Sequence, residues 1–98
     1  MAHAMPLARL LADYRPGSFD PPWSSDDEVQ WMITTQPGYL AGLALNIASQ
    51  GIRTPVRLHH GERRVWDGHH RVVIAVLLRL PEVPWADARY SDTGRLVT

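Results

Sequence analysis

Apolar residues recur at helical spacing in three stretches before Gly51 and switch to alternation just after it. Leu7, Leu10, Leu11 and Tyr14 predict a short first helix, with Pro6 where a helix start tolerates proline and Arg15-Pro16-Gly17 ending it. Ser18 to Trp23, containing Pro21-Pro22, predicts an extended connection. Ser25 and Glu28 have the spacing of a capping box, and Asp26 and Asp27 complement the dipole of a second helix that turns Val29, Met32 and Ile33 inward. Pro37-Gly38 breaks that helix; Leu40, Leu43, Ala44 and Ile47 mark the next, closed by Gly51.

Beyond Pro55, Val56 and Leu58 alternate with Arg57 and His59, the pattern of a half-buried strand. Gly61 supplies a turn and Arg64 to Asp67 return antiparallel, which makes a hairpin. Residues 69–80 are apolar almost throughout, and their β-branched side chains also suit a buried strand. Their length and the glycine turn before them favour a helix ending at Leu80-Pro81. Pro84 then opens a last strand running to Tyr90, and a polar tail covers 91–98.

Composition narrows the class. A chain of 98 residues, 45% apolar and 20% charged, fits one domain that buries roughly 60 to 65% of its unfolded surface. No apolar run reaches the roughly 18 residues of a membrane span, and Met1 to Leu11 lacks the apolar core of a signal peptide. A cytoplasmic protein without a membrane partner is expected. The absence of cysteine excludes disulfides, thiolate metal sites and thiol catalysis. All ten basic residues are arginine, so every cation is a planar fork suited to phosphate or carboxylate and none is an amine nucleophile.

The zero net charge hides an asymmetry. Residues 1–52 carry two arginines against five acids, while 53–71 carry five arginines against two acids and hold four of the five histidines. This is either a solvated hairpin with charged edges or a local anion-binding surface. Within it, Asp67-Gly68-His69-His70-Arg71 stands between Arg64-Val65-Trp66 and the apolar segment. A glycine turn at a helix start exposes unpaired amides to a ligand, and the dipole there favours an anion by roughly 0.3 to 2 kcal/mol. Gly68, His69, His70 and Arg71 are therefore the candidate phosphate-binding residues. Asp67 and His69 are the candidate catalytic groups, with Asp67 also placed to cap the helix or to hold Mg²⁺ beside a phosphate.

The succession of a helix bearing Asn46 to Gly51, Ile52, the Thr54-Pro55-Val56 strand, the hairpin, Gly68-His69-His70-Arg71, an apolar helix and Val83-Pro84 resembles the ParB/sulfiredoxin superfamily over about residues 38–90. The resemblance implies a single compact α/β (α+β) domain over 1–98. A small mixed sheet would carry a hairpin leading into a phosphate-facing helix, after an N-terminal helical extension of about residues 1–37. It further implies a nucleoside triphosphate with Mg²⁺ as ligand, and no haem, flavin or iron–sulfur cluster. Gly68 and Arg71 match the ends of the partition proteins' Gly-Glu-Arg-Arg box, with His69 where they have glutamate and His70 where they have arginine. The same letters at Gly61-Glu62-Arg63-Arg64 fall one strand too early. Against sulfiredoxin's Gly-Cys-His-Arg, Gly68, His70 and Arg71 match, but His69 replaces the cysteine, which excludes sulfinic-acid reduction.

The reading that follows is a domain binding a nucleoside triphosphate or other phosphate ligand, with hydrolysis or transfer left open. Its rivals are a module that binds a protein partner beside an idle pocket, and a ParB-like nuclease or weakly nucleic-acid-associated protein touching backbone phosphates through Arg57, Arg63 and Arg64. The chain ends where partition proteins continue into DNA-reading helices, so sequence-specific DNA recognition is not expected. His59, His60, Glu62, Asp67, His69 and His70 are all possible metal ligands, but neighbours on a strand face opposite ways, so His59 and His60 should not share an ion. Trp23, Trp31, Trp66 and Trp85 suit the core or its edge, with Trp66 able instead to stack on a base.

Overall fold

The computed structural model describes residues 3–16, 24–90 and 96–97. The expected connection 18–23, including Trp23, and residues 91–95 and 98 of the expected tail lie outside them. In chain order the elements are β1 (His3–Pro6), α1 (Leu7–Asp13), β2 (Arg15–Pro16), α2 (Ser25–Thr35), α3 (Pro37–Gln50), β3 (Val56–His59), β4 (Arg64–Asp67), α4 (His69–Leu78), β5 (Glu82–Asp87), β6 (Arg89–Tyr90) and β7 (Leu96–Val97). This is an α+β arrangement.

The first five strands form one mixed sheet in the order β1-β5-β3-β4-β2, and β6 pairs with β7 separately. The hairpin predicted from the alternation is β3 against β4, with an irregularity between Arg57 and Leu58. β5 runs parallel to β3, and β2 parallel to β4. Two expectations are corrected at the sheet's rims. Residues 3–6 form a strand on β5 rather than part of a helical extension, and Arg15-Pro16, read as a helix stop, also pairs with Arg64-Val65. Both are held by partners distant in sequence, which local periodicity does not report.

β5 starts at Glu82, two residues before the expected Pro84, and ends at Asp87 rather than Tyr90. Proline is tolerated there because Pro84 faces Ala4 of the outer β1, while the ladder to β3 begins one residue later, at Trp85. In the hairpin turn the left-handed residue is Arg63, with φ 54°, rather than Gly61.

α4 lies at the centre. Val72 and Ala75 join Met5, Leu10, Val56, Leu58, Val65 and Val83 in the core against the sheet. The next-door residues Val73 and Ile74 join Val29, Met32, Leu40 and Ile47 from α2 and α3 in a second core. Four successive residues, Val72 to Ala75, are thus all buried. A helix covered on two sides has no polar face inside it, which explains why its pattern resembled a buried strand. It ends at Leu78 rather than Leu80, with Arg79 left-handed at φ 54°.

α2 is capped one residue earlier than expected. Ser24, not Ser25, accepts from the Asp27 amide at 3.1 Å, and the Asp27 carboxylate accepts from the Ser24 amide at 3.0 Å. Ile33 is 41% exposed rather than inward. Glu28, expected to close the cap, is freed from that task and is 3% exposed. The third helix starts directly at Pro37, whose missing N–H costs nothing in a first turn. Gly51 ends it with φ 73°, as a backbone that must turn left-handed requires.

Candidate functional site

The turn from β4 into α4 places the five candidate residues together. Gly68 is the N-cap of α4 with φ 96° and ψ 28°, a left-handed conformation costly for any residue with a Cβ. No side chain caps α4, and no acidic residue sits in its first turn. Arg71 folds back over this turn. Its Nη1 donates to the Thr54 carbonyl at 3.1 Å, and its Nη2 meets Asp67 Oδ2 at 3.5 Å. A Cβ on Gly68 would stand 3.0 to 3.2 Å from the guanidinium. The glycine therefore serves two needs, the backbone turn and the close seat of Arg71.

Above the turn opens a cavity of about 680 Å³, lined by Glu28, Trp31, Met32, Gln36, Tyr39, Leu43, Thr54, Trp66 and all of Asp67 to Arg71. Its walls follow from helix geometry. Glu28, Met32 and Gln36 lie four residues apart on or at the end of α2, and Tyr39 and Leu43 four apart on α3, so each set forms one row. The polar groups gather around the start of α4, while Trp31, Tyr39, Trp66 and Leu43 supply aromatic and apolar surface. Trp66 lies in this cavity rather than in either core, its ring 5.5 Å from that of His59.

Glu28 is a cavity residue to which the sequence pattern had assigned a different task. Its Oε2 lies 3.7 Å from His69 Nδ1, with the side chains 4% and 17% exposed. The signal was its spacing of four from Met32, which places it on the buried edge of α2, but the Ser-x-x-Glu pattern assigned it to a cap. Burial holds the His69 imidazole below its ordinary value. Glu28 and Asp67 pull it upward without overcoming that effect, and His70 and Arg71 add to the depression. A neutral imidazole beside a buried carboxyl group can accept or relay a proton at this point.

His70 is turned toward α3. Its Nε2 lies 2.7 Å from Gln36 Oε1, to which it donates as the protonated ring nitrogen, and Tyr39 meets the ring edge-on at 4.8 Å. His70 thus ties the start of α4 to the junction of α2 and α3.

The hairpin arginines do not join the cavity. Arg57 donates to the Asp87 carbonyl at 3.2 Å, Arg64 lies 4.0 Å from Glu62, and Arg63 is an exposed turn residue. His59 ends β3 and His60 opens the turn after it, and the two side chains have different partners. His59 Nδ1 accepts from the Glu62 amide at 3.0 Å. His60 stands between the Tyr14 hydroxyl, 2.6 Å from Nδ1, and Asp87 Oδ1, 2.5 Å from Nε2. Among the described residues no group of three or more histidines and acids is placed to hold a metal ion. Asp67, paired with Arg71, is 41% exposed at the cavity.

No family model matches the sequence, and comparison with curated proteins gives no significant match. Among the described residues no helix is long and apolar enough to cross a membrane.

Proposed function

We propose that this chain is a ParB/sulfiredoxin-like domain that binds a nucleoside triphosphate, with the phosphates at Gly68 to Arg71 and the base against the aromatic wall. The observation carrying this reading is the convergence, in one cavity, of a helix start whose first turn holds no acidic residue, the Arg71 guanidinium, and the Trp31, Tyr39 and Trp66 rings. A helix start alone attracts many anions. An aromatic wall beside it adds surface on which a flat base stacks, worth roughly 1 to 3 kcal/mol per base.

The Glu28 and His69 pair supports chemistry as well as binding. A water or hydroxyl group attacking the terminal phosphorus, as the bond to the bridging oxygen breaks and the nucleoside diphosphate leaves, must lose a proton, and these two groups, shielded from solvent at the start of α4, would take it. Arg71 would stabilise charge on the transferring oxygens; Asp67, once the phosphates have taken its place on Arg71, would be available to hold Mg²⁺ carried with them, and the cation would neutralise part of that charge.

The experiment is a thermal-shift and calorimetric panel of nucleoside triphosphates with and without Mg²⁺. A ligand at 100 times its dissociation constant adds about 2.7 kcal/mol of stability. Binding that is lost in Arg71→Ala and retained in Arg63→Ala/Arg64→Ala supports the assignment. Absence of a shift with every nucleotide, or loss only in the hairpin variant, overturns it.

A further inference from the structure

We infer that Asp67 is a built-in competitor for the anion at Arg71: its carboxylate occupies the guanidinium until a phosphate displaces it, and so sets the affinity threshold of the site. This rests on the phosphate reading above.

The two acceptors that Arg71 uses are unequal. The Thr54 carbonyl is backbone, and its 3.1 Å contact to Nη1 anchors the guanidinium against the end of the loop before β3. Asp67 reaches Nη2 from a side chain at the long distance of 3.5 Å, and it is the more exposed partner, 41% against 18% for Arg71. Nη2 is also one of the atoms closest to the bare face of Gly68, 3.1 Å from where a Cβ would be. An anion arriving at the start of α4 therefore contends for the same nitrogen that Asp67 holds. The exchange needs no movement of the backbone, because the Thr54 contact can persist while Asp67 swings toward solvent.

The consequence is a threshold. An anion that brings one phosphate trades one carboxylate for itself and is left beside the displaced negative charge. A phosphate chain meets the same penalty but offers more oxygens to the helix start and to His69. Asp67 thus keeps the site closed to abundant single anions at concentrations where a chain still binds.

Calorimetry with inorganic tripolyphosphate in chelator-treated buffer reads the inference directly, with circular dichroism confirming that each variant is folded. Asp67→Asn, and Asp67→Ser as a second replacement, should bind about two- to fivefold more tightly than the parent, the range for a partly exposed ion pair. Arg71→Ala should bind more weakly, and adding Asp67→Asn to it should restore nothing, since the competitor has lost its object. An equal gain in the Arg71→Ala background would reveal a general effect of charge and overturn the latch. Unchanged or weaker binding in Asp67→Asn, with Arg71→Ala still defective, would overturn the latch and leave the phosphate site standing. No binding by the parent, or equal binding by parent and Arg71→Ala, would remove the phosphate reading and the latch with it.

Discussion

Gly68 carries more constraint than any other single position at the site. Its φ of 96° strains any residue with a Cβ, and a Cβ there would stand 3.0 to 3.2 Å from the guanidinium, which would have to give way. Gly68→Ala should cost roughly 1 to 2 kcal/mol for the left-handed backbone and should also unseat Arg71. Denaturant unfolding and phosphate titration of the same variant check both effects. Glu28 and His69 make a second test. Glu28→Gln should keep nucleotide binding within about threefold while lowering any turnover by roughly 10² to 10⁴, the usual contribution of a proton-transfer group. Equal loss of binding and turnover would assign Glu28 to the architecture of the cavity instead.

The His69 depression also predicts how stability follows pH. The unfolded chain takes up a proton at His69 near the ordinary value of 6.5, whereas the folded chain resists it until lower pH. In that interval the unfolded state binds more protons, so stability rises with pH. The contribution is complete above 6.5 and is lost as pH falls through the window below it. Urea midpoints measured from pH 7.5 down to about 5 should fall, and His69→Asn should flatten the slope. A slope unchanged by the substitution would place its origin elsewhere.

At the scale of elements, α4 is the piece on which both cores depend. Ile74 and Val73 are 0% and 1% exposed in the core facing α2 and α3, while Ala75 is 0% exposed in the core facing the sheet. Ile74→Ala should destabilise the protein by about 2 to 5 kcal/mol, measurable as a lower urea midpoint with little change in slope. Ser24→Ala removes a cap on an exposed helix end and should cost about 0.5 to 2 kcal/mol. The ranking of the two follows from burial. A helix locked between two cores also gives its first turn a rigid seat, so Gly68 to Arg71 are held in place by packing several residues further along.

For the whole molecule, the arrangement separates two kinds of positive surface that look alike along the chain. Arg71 belongs to a cavity, whereas Arg57, Arg63 and Arg64 lie outside it and two of them already face the Asp87 carbonyl or Glu62. With a net charge of zero, duplex DNA should bind weakly and without sequence preference, its affinity falling steeply between 50 and 200 mM salt as counterion release dictates. Fluorescence anisotropy across that range checks it. Tight binding that persists at high salt would point to a base-reading surface instead.

Local rules were enough for the parts that local forces dominate. The helical spacing of Leu40 to Ile47, the alternation at Val56 to Leu58 and the glycine before His69 led to α3, the hairpin and the start of α4, because each depends on neighbours within a few residues. Gathering Asp67 to Arg71 at one turn needed no more than their adjacency. What lies far apart in sequence waited for the fold. β1 and β2 exist through pairing with β5 and β4. The cap of α2 lies one residue earlier, so Asp27 closes it, while Glu28, still in the first turn, is buried beside His69. The aromatic wall joins Trp31 and Tyr39 to Trp66, which periodicity could place on faces but not opposite one another. The sequence by itself determined which residues would start α4. Only tertiary packing decided what would face them, since a contact between distant segments is fixed by the cores that hold both in place.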